Sequence, residues 1–462
     1  MSAAEARVRV ILWFDTEDYL LRADDDAILR LATFLTREAI RGVFKMVGEK
    51  ARVLLRRGRR DVIAALKRHE IGYHTDFHSV HPTPAEYLSA LGWDEGVEEF
   101  LRREGPGYED VRRIFGVRPA CYGQPGNSWG PQAFGAMRRW KMPVYMDSGW
   151  HVGLDGRPHH YGGALTFFRL AHEVRVELGG PGDVAEALAR FAGARQALLR
   201  EGGGVVSTVY HPNEFVMTEF WDVVNFARGA NPPRSRWKPP GQKTRAATAA
   251  AFANFEAYIR QLKTYPDVAF ITTGDAAWLY RDRAVGRRFA SAELREIARA
   301  VGPRIGFQRR DGLALAPADV FALLTEAAAR GGRAAVTMGP TPFGPAEAPP
   351  VGPAPKRTDA SQLTRTVADV ASFLRRHGRL PSAVWLGSAA ITPEVYLRAV
   401  ALWLRTRRVA LRPARLATAR YVATDEPRLW RWPIHRPGFT APAMMALAKR
   451  QAWTLKPALL GT

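Results

Sequence analysis

Residues 68–82 read RHEIGYHTDFHSVHP, and within them His74 and His78 stand four apart, able to turn two imidazoles toward one metal ion. Upstream, an apolar run ends in the acidic cluster Trp13-Phe14-Asp15-Thr16-Glu17-Asp18. Two neutral ring nitrogens and one carboxylate make a three-ligand site with an open position, the arrangement that metal-assisted hydrolysis needs. In a chain with eleven histidines the H-x-x-x-H spacing means little alone, so its flanks decide. A zincin reading, H-E-x-x-H, fails because position 73 is Tyr73.

Working outward, the pattern alternates short apolar runs with helical stretches. Arg7 to Phe14, Gly42 to Val47, Glu70 to His74, Ala120 to Gln124, Val144 to Met146 and Val205 to Tyr210 read as strands, with Asp267 to Tyr280 as a closing segment. Helical patterns cover about Asp25 to Glu38, Asp61 to His69, Ala85 to Ile114 and Gly130 to Lys141. Such alternation predicts an α/β fold with a mainly parallel sheet, whose chemistry gathers where strands end. Asp15, His74, Asp147 and His211 each fall at such an end. If the chain stays extended past Asp15, then Asp15 and Glu17 point to one side and Asp18 to the other. If it turns early, Asp18 is the acid that reaches the histidines.

Five stretches together carry a resemblance. They are the acidic cluster, the run from Glu70 to His78, a frame of Gly116, Pro119, Tyr122 and Pro125, the group Asp147-Ser148-Gly149-Trp150, and Val209-Tyr210-His211-Pro212. In these the chain resembles the polysaccharide deacetylases, the NodB-homology group of carbohydrate esterases. That resemblance implies a distorted, incomplete (β/α) barrel of the seven-stranded NodB type over residues 1–285. It also implies a metal-dependent hydrolase that removes an acetyl group from an N-acylated amino sugar or polysaccharide. Asp15 would be the base, His211 the general acid, and His74, His78 and either Glu17 or Asp18 the ligands of a divalent ion. Zinc is the first expectation, with cobalt, nickel or manganese as alternatives. Tyr122, Gln124, Asp147 and Trp150 would bind substrate or support the site. One departure stands out: Gly123 occupies the position where the family carries an arginine that supports the base, with Arg118 or Gln124 as the nearest substitutes. A metal-dependent amidase acting on a small amide or cyclic imide is the rival reading, and a non-catalytic binder of carbohydrate or polyanion a third.

Composition sets the remaining bounds. At 462 residues, 47% hydrophobic, the chain exceeds what one core usually serves, so a second unit, mainly α-helical and basic, is expected over 286–462. That half holds 28 Lys/Arg against 11 Asp/Glu and thus 17 of the 22 net positive charges, a surface that would attract an anionic polymer. A Pro/Gly-rich loop is expected at 339–357, and residues 358–386 resemble, over a short stretch, pseudomurein-binding-type repeats. The single Cys121 excludes an intramolecular disulfide. With no apolar run long enough for a membrane span and no recognisable export signal, the expectation is a cytoplasmic protein.

Overall fold

The computed structural model describes residues 7–350 and 358–461. Its centre is one curled sheet. Strands β1 (Val8–Thr16), β2 (Val43–Met46), β3 (Glu70–Tyr73), β4 (Cys121–Tyr122), β5 (Val144–Tyr145), β6 (His159–Tyr161), β7 (Ala164–Thr166), β8 (Gly204–Tyr210) and β9 (Val268–Ile271) follow one another along the chain. Their spatial order is β6-β7-β5-β4-β3-β2-β1-β8, and β9 pairs with the first half of β1. Seven strands from β7 through β8 run parallel. The two ends of this curl approach each other at a single parallel bridge between Glu173 and Ser207. This is the distorted, incomplete (β/α) barrel that the resemblance implies, built on the mainly parallel sheet that the strand–helix alternation predicts.

β1 shows why its sequence is apolar throughout. Val8, Val10, Leu12 and Phe14 pack outward against the helices, in one core with Ile28, Leu31 and Leu35 of the helix Arg22–Arg37. The alternate residues Ile11 and Trp13 face inward and join Val43, Cys121, Val144, Phe167, Val209 and Ile271 in the barrel's interior. A strand covered on both faces loses the polar alternation of a half-exposed one. The same alternation carries Asp15 to the inner face, at the end of the strand where the interior opens.

Several loops are pinned by polar contacts that an apolar count does not reveal. Glu70, at the foot of β3, accepts from the backbone N–H groups of Thr273 and Gly274 at 2.8 and 2.9 Å. It therefore anchors the N-terminus of the helix Thr273–Leu279 that follows β9, and its place in the His74/His78 motif is structural. Thr83 and Glu86 cap the helix Pro84–Leu88 reciprocally. The long helix Trp93–Phe115 stops at Gly116, which sits at φ 73° where a side chain would be strained.

The second half contributes the helices Ser291–Arg299, Pro317–Ala329, Ala360–His377, Pro393–Thr406 and Pro442–Gln451. Phe289, Leu294, Phe321, Leu324, Val367, Tyr396 and Leu397 form a core of their own. The chain then returns to the barrel: Met444, Leu447 and Leu455 belong to the main core, and the strand Lys456–Pro457 pairs antiparallel with β6. Residues 351–357, the end of the expected Pro/Gly-rich loop, lie outside the described residues. Residues 358–386 fold mainly as the helix Ala360–His377 followed by the strand Val384–Leu386. No described helix is long and apolar enough to cross a membrane.

Candidate metal centre and active site

At the open end of the barrel, Glu17, His74 and His78 bring one ligand atom each within 4.8 Å of one another, and all three are buried. Glu17 Oε2 lies 2.8 Å from His78 Nε2 and 3.7 Å from His74 Nε2. The other candidate acid turns away. Asp18 Oδ1 accepts from the backbone N–H groups of Leu20 and Leu21, and the Asp18 carbonyl accepts from Lys50 Nζ. Extended backbone through Thr16 thus sends Glu17, on the same side as Asp15, to the imidazoles.

The tautomers of both rings follow from their outer contacts. His74 Nδ1 is 2.9 Å from the Gly123 carbonyl, which can only accept, so the proton is on Nδ1 and Nε2 carries a lone pair. For His78 the argument runs through two further residues. Ser79 Oγ donates to Asp222 Oδ2 at 2.8 Å, which uses its one hydrogen, so Ser79 accepts from His78 Nδ1 at 2.5 Å. In the neutral ring, the form that binds a metal, His78 Nε2 then also carries the lone pair. Both Nε2 atoms are buried, and a lone pair facing a carboxylate, as His78 Nε2 faces Glu17 Oε2 at 2.8 Å, is costly without a cation between them. Two lone pairs and a carboxylate aimed at one point fit a divalent cation with room for a further ligand, and the contacts behind the rings are those that commonly orient metal-bound histidines. The loop that presents them is bent: Thr75 and His78 hold φ of 66° and 58°, left-handed values uncommon for side chains of this kind.

Asp15 and His211 stand beside this centre. Asp15 Oδ1 is 3.6 Å from His74 Nε2, and Asp15 Oδ2 is 3.6 Å from His211 Nε2. Burial alone would raise the Asp15 carboxyl, but the His74 ring whenever it is protonated and the Lys45 ammonium throughout prevail and hold it below the usual carboxylate range. His211 Nδ1 faces Glu214 Oε1 at 3.0 Å, and Arg175 pairs with that same carboxylate. Burial disfavours the imidazolium, yet the adjacent Glu214 charge outweighs it and pushes the His211 pKa up to about 9.

The supporting residues divide. Asp147 Oδ1 accepts from Gln124 Nε2 at 3.2 Å and from its neighbour Ser148 N at 2.8 Å, and both Asp147 and Gln124 line the site. Trp150 stands at the mouth, 59% exposed. Tyr122 faces the other way, packed among Tyr73, Phe100 and Tyr145 in the outer core. Neither Arg118 nor Gln124 reaches Asp15; a different cation, Lys45 on β2, holds it with Nζ 2.8 Å from Oδ1. Lys45, Ser79, Asp222, Arg175 and Glu214 were missed from sequence. Only Lys45 left a signal there, as the one charge in the apolar run Gly42 to Val47.

Asp15, Glu17, His74, His78, Gln124, Asp147, Arg175 and His211 line a cavity of about 470 Å³. Phe220, Asp222 and Val223 form one side of it, from the long segment after His211, and Trp432 and Pro433 come from the second half of the chain. Trp432 meets His78 edge to face, with ring centroids 5.7 Å apart. Gly126 makes that approach feasible, because a Cβ there would lie 2.5 Å from the Trp432 ring.

No protein-family model matches the sequence, and no curated protein matches it. Among solved structures the fold is similar to PuuE allantoinase, at 12% identity and a TM-score of 0.40, over 60% of this chain and 91% of that one. It is also similar to a structure assigned as a polysaccharide deacetylase from Mycobacterium smegmatis, at 14% identity and a TM-score of 0.37, over 60% and 91%. A third, a pseudoenzyme of carbohydrate esterase family 4 from Bacillus anthracis, aligns at 13% identity and a TM-score of 0.30, over 57% and 63%. Likeness at this level carries no argument about chemistry, which rests on the residues. The comparisons give no support to repeats at 358–386 or to an anionic-polymer partner.

Proposed function

We propose that the chain is a metal-dependent hydrolase of a carbon–nitrogen bond outside peptides, removing an acyl group, acetyl foremost, from an N-acylated amino sugar. The observation that carries this reading is the convergence of two imidazole lone pairs and Glu17 beside Asp15 and His211. His74, His78 and Glu17 would hold the ion, zinc in the first place. When bound, such an ion supplies Lewis-acid polarisation of the acyl carbonyl and acidifies water at neutral pH.

The chain's own residues account for the proton traffic. Asp15, buried and anionic, is placed to take the proton of an attacking water. His211 presents Nε2 to the same space with Glu214 holding the other nitrogen, so it enters the reaction protonated and can give that proton to the departing amine. Protonation is needed because an amide ion is a very poor leaving group. No side chain has to form a covalent bond to substrate.

A second reading is favoured by the shape of the cavity. Its volume of about 470 Å³, walled by Phe220, Val223 and Trp432, suits a single compact ligand. A small amide, a cyclic imide or one amino-sugar unit fits that space. Purified protein loaded with zinc should be offered N-acetylated monosaccharides, N-acetylated oligosaccharides and cyclic imides, with acetate release and ring opening both measured. Acetate from the sugars supports the first reading and ring opening without acetate supports the second. Stoichiometric metal with no turnover, together with salt-sensitive retention on an anionic polymer, supports a binder instead.

A further inference from the structure

Lys45 is a buried cation that touches Asp15 directly, and its surroundings are cleared for it. Register places Asp15, Lys45 and Gly72 side by side on β1, β2 and β3, so their side-chain positions share the inner face. The Lys45 side chain is fully buried, and three oxygens lie within ion-pair or hydrogen-bond distance of its ammonium. They are Asp15 Oδ1 at 2.8 Å, Asp147 Oδ2 at 3.1 Å and the Met146 carbonyl at 3.0 Å. Its path lies over the Trp13 ring, with Nζ 4.1 Å from the centroid.

Two glycines keep that path open. A Cβ on Gly72 would fall 2.9 Å from Lys45 Cγ, and one on Gly123 would fall 2.2 Å from Lys45 Nζ. Gly123 has no left-handed backbone requirement, so nothing but space excludes a side chain there. The position at which the resemblance expects an arginine is therefore closed to a side chain by the end of a lysine from another strand together with the Met146 carbonyl and Asp147 Oδ2, 2.6 and 2.8 Å from a Cβ there.

We infer that Lys45 is a positioning residue: its ammonium holds the Asp15 carboxylate in its working orientation and balances the buried Asp15–Asp147 pair, in the seat that Gly123 vacates. The inference rests on the hydrolytic reading for its kinetic consequence but not for its charge-balancing one. Removing a cation from between two buried carboxylates leaves like charges facing each other in a medium that screens them poorly.

The test removes the charge at position 45, with the full chain, and is read in two ways. Lys45→Ala should lower kcat on the order of 100-fold with KM and zinc stoichiometry unchanged, because a misplaced base slows the reaction without altering binding. It should also lower the melting temperature. Lys45→Met, which keeps the length of the side chain and removes its charge, should lose kcat to the same extent. If the alanine variant does not fold, the methionine variant supplies the same evidence. Wild-type kcat in either variant would overturn the inference. If zinc-loaded wild type releases no product from any acyl substrate, the hydrolytic reading and the positioning role fail together. The melting temperatures then still decide whether Lys45 is the required counter-charge.

Discussion

His211 and Glu214 are three residues apart and locked together: Glu214 Oε1 faces His211 Nδ1 at 3.0 Å, while Glu214 Oε2 accepts from the His211 backbone N–H at 3.2 Å. The one carboxylate both orients the ring and favours its charged form. With the pKa raised to about 9, the ring is protonated at neutral pH and loses its proton only as pH rises through that value. A general acid must be protonated, so kcat/KM should hold through neutrality and fall on an alkaline limb near 9. In Glu214→Gln that limb should move toward the ordinary histidine range of about 6.5. An unshifted limb would assign the titration to another group.

Asp222 hydrogen-bonds Ser79 and lies 3.8 Å from His78 Nδ1, so it fixes which ring nitrogen is free. Replacing Asp222 by Ala removes the acceptor and should weaken zinc binding on the order of 10- to 100-fold, measured by competition with a chelator. His74→Ala and His78→Ala should abolish stoichiometric binding. His211→Ala should keep the metal and lose turnover, which separates the ligand set from the acid.

Trp432 is contributed by the second half of the chain and closes one side of the cavity against His78 and Gly126. Trp432→Ala should widen the space for the departing amino sugar. The preference for one-unit over three-unit N-acetylated sugars, taken as a ratio of kcat/KM, should fall on the order of tenfold, the scale of modest pocket changes. An unchanged ratio would place the longer sugar elsewhere.

Glu104 lies below the site, its carboxylate accepting from the Asp76 N–H at 2.6 Å and from the Tyr87 hydroxyl at 2.9 Å. Burial is the main cause that pushes its pKa up to about 7. The folded value exceeds the unfolded one, so its contribution is fully present below about 4.3 and is lost as pH rises through 7. Melting temperature should therefore decline between those values by the equivalent of at most about 1.4 kcal/mol per pH unit, and Glu104→Gln should flatten that part of the curve.

Much of this arrangement was readable before any coordinates, for a local reason. The 2-residue alternation in β1 puts Asp15 and Glu17 on one side, and strand ends gather polar groups at one rim. What was not readable depends on contacts across the barrel. Lys45 looks like a stray charge until register sets it beside Asp15, and Gly123 looks like a loss until Lys45 is seen in its space. Ser79 and Asp222 are 143 residues apart, with no spacing to join them. The hairpin of β6 and β7 was passed over because His159-His160-Tyr161 carries no alternation, and its buried edge is supplied by Lys456–Pro457 from the far end of the chain.

The central claim is that Glu17, His74 and His78 hold one divalent ion at the rim of the barrel. Anomalous diffraction at the zinc edge, from crystals grown with zinc, tests it without reference to turnover. One strong peak bounded by His74 Nε2, His78 Nε2 and the Glu17 carboxylate is the predicted result. A crystal that shows no peak there, or an ion held by Asp18 in place of Glu17, would contradict it.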